Sequence, residues 1–156
     1  MFKPLLNLIF PKVCYACGKA ISTSVQSICI SCRNDLAKLK TNEPDKHPVE
    51  KILWGRLELE RATSFLKFEK KGKTQRLLHA LKYQGISEVG VTLGELAAME
   101  VEESGFFKGI DLLVPIPIHR AKLKRRGYNQ SDYIANGIAN ITSIPVNTSA
   151  VKKQAN

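Results

Sequence analysis

The chain has 156 residues, enough for one ordinary domain and a small appendage, and its 44% hydrophobic content can supply a core. Lys and Arg number 24 against 14 Asp and Glu, and the resulting net charge of +10 and pI near 9.6 favour polyanionic partners, with RNA, DNA and phosphorylated metabolites all open. No run approaches the roughly 18 apolar residues that span a bilayer. The expected location is therefore cytoplasmic, with peripheral membrane contact open.

The first ten residues, Met1 to Phe10, hold a short apolar stretch interrupted by Asn7 and no small-residue cleavage site, so they read as a short packing helix rather than a signal peptide. All four cysteines follow, as Cys14-Tyr-Ala-Cys17-Gly18 and Cys29-Ile-Ser-Cys32, two C-x-x-C pairs with eleven residues between them. Each pair can turn tightly enough to present two thiolates to one ion. Two such knuckles close a tetrahedron with no open position for catalysis, so the expected metal is a structural zinc. Gly18 suits a turn that needs positive φ. A head of about 35 residues with few large apolar side chains lies below the size that folds on burial alone. Zinc contributes on the order of 10 to 16 kcal/mol of apparent binding free energy to such a unit. Two disulfides, or free or redox-active thiols, are the competing readings, and disulfides need an oxidising compartment that nothing in the chain announces.

These features divide the chain into a head over 1–40, a linker over 41–60 and a body over 61–156. Thr41 to Pro48 concentrates turn formers and charges. His47 reads as a surface residue and Trp54 as packed against the neighbouring domain. Ala62 to Phe68 carries β-favouring residues with Leu66 and Phe68 two apart, predicting a strand closed by a turn at Glu69 to Gly72. Thr74 then caps a predicted helix whose Leu77, Leu78 and Leu81 share a face and which ends near Gly85. His79, Lys82 and Tyr83 fall in or at the end of this helix and by themselves read as ordinary helix residues. A second helix is predicted over about Ser87 to Glu103, with Val89, Leu93, Leu96 and Ala97 on one side and Gly105 at its end.

Asp111 to Val114 is an apolar run stopped by Pro115 and Pro117, and predicts a buried strand. Arg120, Lys122, Lys124, Arg125 and Arg126 follow as a loop without an acid, and Gly127 frees the backbone. Tyr128, Ile134, Ala135, Ile138 and Ile141 then give the stripe of a further helix, with Asn129 or Ser131 as cap. A strand end, a basic loop and a helix start in that order suit an anion. Helix amides contribute only about 0.3 to 1 kcal/mol each, so the guanidinium groups would supply most of the attraction. A solvated basic loop is the plainer alternative. With a further strand near Ile144 to Val146, the order of elements fits the beginning of an α/β fold with a parallel doubly wound sheet, whose ligands sit beyond the carboxyl ends of strands, where residues 115–127 fall.

Four motifs span nearly the whole chain: Leu8-Ile-Phe-Pro-Lys-Val-Cys14 to Gly18 with the second cysteine pair, His79-Ala-Leu-Lys82-Tyr83-x-Gly85, Val114-Pro-Ile-Pro-Ile-His119, and Arg125-Arg-Gly-Tyr-Asn-Gln130. In combination they resemble the ComF family, competence-associated proteins with a zinc-ribbon head and a type I phosphoribosyltransferase-like body. The resemblance implies a double zinc ribbon held by Cys14, Cys17, Cys29 and Cys32, followed by a partial phosphoribosyltransferase-like parallel sheet with helices. It implies a pyrophosphate loop at Pro117, Ile118, His119 and Arg120, and a phosphoribosyl site drawing on Arg126, Gly127, Asn129 and Gln130, with Arg125 beside them as a further anion-binding residue. His79, Lys82 and Tyr83 become family positions of unknown role. The implied reaction is phosphoribosyl transfer from phosphoribosyl pyrophosphate, with Mg²⁺ in a full-length form, to an acceptor the residues do not name. A non-catalytic alternative is a zinc-dependent module that contacts single-stranded DNA or DNA-uptake proteins, although Tyr15 and Tyr128 alone are thin aromatic interleaving for a stacking surface. A third reading is a zinc-stapled fragment with no activity of its own. The family's later strand, with an acidic pair for the ribose hydroxyls and a Thr/Gly-rich loop for the 5-phosphate, is expected after Val146. The chain reaches Asn156 without it, so the expectation is a truncated product, a fragment or a gene split by a frameshift, inactive or nearly so.

Overall fold

The computed structural model describes residues 11–21, 27–39 and 48–153. The expected packing helix at 1–10 and the turn-rich stretch 41–47, with His47, lie outside them. The described helices are α1 (Ile30–Asn34), α2 (Pro48–Leu53), α3 (Lys73–Tyr83), α4 (Ser87–Glu102), α5 (Arg120–Arg126) and α6 (Gln130–Thr142).

The body is centred on the crossing of α4 with α6, the most extensive helix contact among the described residues. Small residues allow it. A Cβ built on Gly94 would stand 2.1 Å from the Ile134 carbonyl oxygen, and one on Gly137 would stand 2.1 Å from that of Val91, so backbone lies directly on backbone. The opposite side of α4 buries Val89 and Leu93 against Leu77, Ala80 and Leu81 of α3, as the apolar spacing of both helices predicts. The head closes the same core: Cys14, Ala16, Ile28, Cys32 and Leu36 belong to one buried cluster with those α3 and α4 residues. A buried hydrogen bond of 2.9 Å between the Ser27 and Thr92 hydroxyls satisfies the two polar groups that this junction removes from water. The chain beyond α1 also pairs antiparallel with the body. Leu39 N–H donates to the Phe65 carbonyl at 3.0 Å and Lys67 N–H to the Ala37 carbonyl at 2.7 Å, around the bridge between Lys38 and Leu66.

The expected parallel sheet is not present: the described residues form helices and three isolated bridges, with no strand. The segment around 62–68 contributes the bridge at Leu66, directed to the head. The segment 111–114 contributes a parallel bridge from Leu113 to Val146, through Leu113 N–H to the Pro145 carbonyl and Asn147 N–H to the Leu113 carbonyl, each 2.9 Å. In parallel register the next rung on one side needs an amide at Pro115 and the next on the other needs one at Pro145. Neither proline has an N–H, so the ladder stops after one bridge. Nor is the segment buried, since Leu112, Val114 and Ile116 are all exposed.

Three smaller expectations are also corrected. Trp54 is 84% exposed rather than packed on a neighbour. Thr74 is a buried residue inside α3, and Gly72 occupies the cap position. The basic stretch after His119 is the helix α5, not a loop. Arg, Ala, Lys and Leu are all strong helix formers, and the three cations in its last turn complement the helix dipole.

Candidate metal centre and basic face

The sulfur atoms of Cys14, Cys17, Cys29 and Cys32 all lie within 4.8 Å of one another, and the Cys17 and Cys29 sulfurs are 3.9 Å apart. Zn–S bonds of about 2.3 Å in a tetrahedron require sulfur separations of about 3.8 Å. A disulfide requires about 2.05 Å, and all four cysteines are free. The arrangement is compatible with a closed, structural zinc site.

The local chain explains the convergence. Val13 and Ala20 bridge antiparallel, the Gly18 amide returns to the Cys14 carbonyl at 2.7 Å, and Gly18 itself adopts φ 77°, where a side chain would be strained. The second pair enters through Cys29, whose amide donates to the Cys14 sulfur at 3.3 Å, and Cys32 lies one turn into α1. Burial pushes the Cys32 thiol up to about 12, reinforced by hydrogen bonds among the sulfurs and by charge on Cys14. For Cys14 burial acts in the same direction, but amides of Cys29, Cys17 and Ala16 outweigh it and bring the thiol down to about 6. A cation among the four would displace the remaining protons. Just outside, Lys73 pairs with Asp35, and that carboxylate raises the lysine above its usual range with smaller help from Cys32 and Cys17.

The second candidate site is the face built by α5 and its flanks. His119 caps α5, its Nδ1 accepting from the Ala121 amide at 3.2 Å. Arg120, Lys122, Lys124 and Arg125 are exposed, Arg126 is half-buried, and among the described residues no carboxylate pairs with any of them. Gly127, at φ 83°, ends the helix by returning its amide to the Leu123 carbonyl. Asn129 then starts α6. Its Oδ1 accepts from Ser131 N–H at 3.3 Å, while its Nδ2 donates to the Ile116 carbonyl at 3.1 Å and to Asp132 at 2.7 Å. Two motifs separate in sequence, Val114 to His119 and Arg125 to Gln130, are thus tied together, with Asn129 as the brace. Gln130 donates to the Tyr128 carbonyl at 3.3 Å, and Pro117 and Ile118, inside the first of these motifs, are half-buried.

Comparison with protein-family profiles, curated proteins and solved structures finds no match. No helix among the described residues is long and apolar enough to cross a membrane.

One feature escaped the sequence reading. Tyr83, at the end of α3, lies beneath the Arg126 guanidinium, 5.8 Å from ring centroid to Cζ, and against His79 at 5.1 Å between centroids. The i, i+4 spacing of His79 and Tyr83 would have revealed their stacking; the contact with Arg126, more than forty positions away, has no local signal.

Proposed function

We propose that this chain is a ComF-like protein of DNA uptake: a zinc-stapled cytoplasmic module whose basic face binds phosphate groups, those of single-stranded DNA above all. The observation that carries this reading is the set of five cations on the seven-residue α5, unpaired with carboxylates among the described residues and braced by Asn129 against the loop after Pro115. Like charges three or four positions apart on a helix cost about 0.2 to 0.5 kcal/mol per pair. A run of phosphates relieves that repulsion, and an exposed helix meets an extended polyanion more readily than it encloses one small ion. In this reading zinc is structural, completing four thiolate bonds and leaving no coordination position for substrate.

Phosphoribosyl transfer is a second reading, favoured by the Asn129 to Ile116 hydrogen bond, which joins Pro117 to Arg120 with Arg126 to Gln130. Its ligand is phosphoribosyl pyrophosphate with Mg²⁺, and its arginines would neutralise the departing pyrophosphate. The two are separated by titration. Labelled single-stranded DNA is expected to bind with an affinity that falls steeply with salt, at a log–log slope of about −3.5 for five phosphate contacts. Replacing Arg125 and Arg126 with Gln should flatten the slope. Absent or salt-independent DNA binding overturns the first reading, and micromolar calorimetric binding of phosphoribosyl pyrophosphate with Mg²⁺ establishes the second.

A further inference from the structure

Tyr83 is 65% exposed although it ends a helix whose Leu77, Ala80 and Leu81 are fully or almost fully buried. The core makes no demand on its ring. Its surroundings are nonetheless ordered. His79 stands one turn earlier on the same face, its ring tilted 44° to that of Tyr83. Arg126, the last residue of α5, lies over the same ring, with Lys122, Lys124 and Arg125 on the same short helix. The junction is fixed from behind. The Tyr128 hydroxyl donates to the carbonyl of Leu81, and the Tyr128 ring packs edge-on against Tyr133 at 5.2 Å. Burial holds the Tyr128 phenol above its usual range, with Arg126 partly opposing, so it stays a donor. The end of α3 and the end of α5 are therefore held together, with an exposed aromatic ring and a guanidinium at the seam.

We infer that Tyr83, His79 and Arg126 form a nucleobase platform, taking an aromatic base on the Tyr83 ring while Arg126 and its neighbours hold the attached phosphate. This deepens the phosphate-binding reading of α5 and rests on it. An exposed tyrosine offers a π face to any base, and stacking of this kind contributes about 1 to 3 kcal/mol per base. A guanidinium can lie over a ring and still direct N–H donors outward to a phosphate, because its five donors lie in the plane and its face remains free. The aromatic interleaving that is thin along the sequence is thus assembled in space, from residues on two different helices. The ligand chemistry is a base joined to a phosphate, supplied by a single strand or by a free nucleotide.

The test uses the full zinc-loaded chain. Binding of a labelled oligothymidylate is measured by anisotropy at fixed salt and compared with an abasic strand of the same length and with inorganic polyphosphate. The base-bearing strand is expected to bind about tenfold more tightly than the abasic one, the equivalent of one stacked base. Tyr83→Leu should remove that tenfold and leave the abasic strand and polyphosphate unaffected, whereas Tyr83→Trp should keep it. Because the ring is exposed, neither change touches the core. If the two strands bind alike, or if Tyr83→Leu weakens both equally, the platform is refuted while the phosphate face stands. If neither strand nor polyphosphate binds, both fall. Competition by thymidine monophosphate at equal nucleotide concentration identifies a free nucleotide as the ligand, and its failure to compete identifies a strand.

Discussion

Two glycines set the distance between the principal helices of the body, and each leaves no room for a methyl group. At Gly94 and Gly137 the obstruction is a carbonyl oxygen 2.1 Å from the built Cβ, which cannot swing aside as a side-chain end could. Gly94→Ala gains about 1 kcal/mol of helix propensity but must prise the helices apart, and overpacking of that kind costs about 1 to 3 kcal/mol or more. The expected net result is a lower urea midpoint for Gly94→Ala and Gly137→Ala, while Asn136→Ala, exposed on the same helix, should stay within about 0.5 kcal/mol of the parent. Asp132 makes a different prediction. Burial raises its pKa, and the hydrogen bond from Asn129 only partly opposes this. A carboxyl whose folded pKa exceeds its unfolded one stabilises the fold while protonated, and that contribution is lost as pH rises through the folded value. Asp132→Asn should therefore melt above the parent near neutral pH, and the gap should close below about pH 4, where both side chains are uncharged. A gap that widens in acid would contradict this.

At the level of elements, the helices with an apolar stripe were legible and those without one were not. Leu77 and Leu81, then Val89 and Leu93, repeat at helical spacing and mark α3 and α4 to within a residue or two. In α5 the eye goes to charge, and its only large apolar residue, Leu123, is 41% exposed; intrinsic propensity and Gly127 were the available signals. The expected strand at 111–114 failed for a reason that no local window contains: the register sets Pro115 and Pro145 on either side of the single bridge, and register is a property of two segments at once. Asn129, by contrast, was readable as a cap but not as a brace. Substitution can separate its two roles. Asn129→Ser keeps an oxygen for the Ser131 amide and loses the reach to Ile116, whereas Asn129→Ala loses both. The Ala variant should fall below the Ser variant by about 1 kcal/mol, the worth of a cap, in chemical denaturation. Both variants should weaken whatever phosphate binding depends on joining the two motifs, because both lose the bond to Ile116.

Taken as one molecule, the head is more than an appendage on a self-sufficient body. The C-x-x-C spacing made the four-cysteine cluster readable, because two short knuckles need only local chain to form. What they are packed against could not be read, since Ile28 and Leu36 carry no mark of the distant residues they meet. Cys14 and Cys32 share a buried cluster with Leu77, Leu81 and Val89, and Ser27 is bonded to Thr92 beneath it. An ion that fixes the cysteines therefore also fixes the lid over α3 and α4. Stripping the metal should expose Leu77, Leu81 and Val89 to water, and fully burying one such side chain contributes about 1.5 to 3 kcal/mol. The purified chain is expected to carry one zinc per molecule by elemental analysis. A strong chelator should then lower the unfolding midpoint of the whole far-ultraviolet helical signal, with amide exchange accelerated in α3 and α4 as well as near the cysteines. Cys32→Ser, which removes one buried ligand, should reproduce the effect in the presence of zinc. Loss of protection confined to residues 11–39, with α3 and α4 exchanging as before, would mean that the body holds its core without the head.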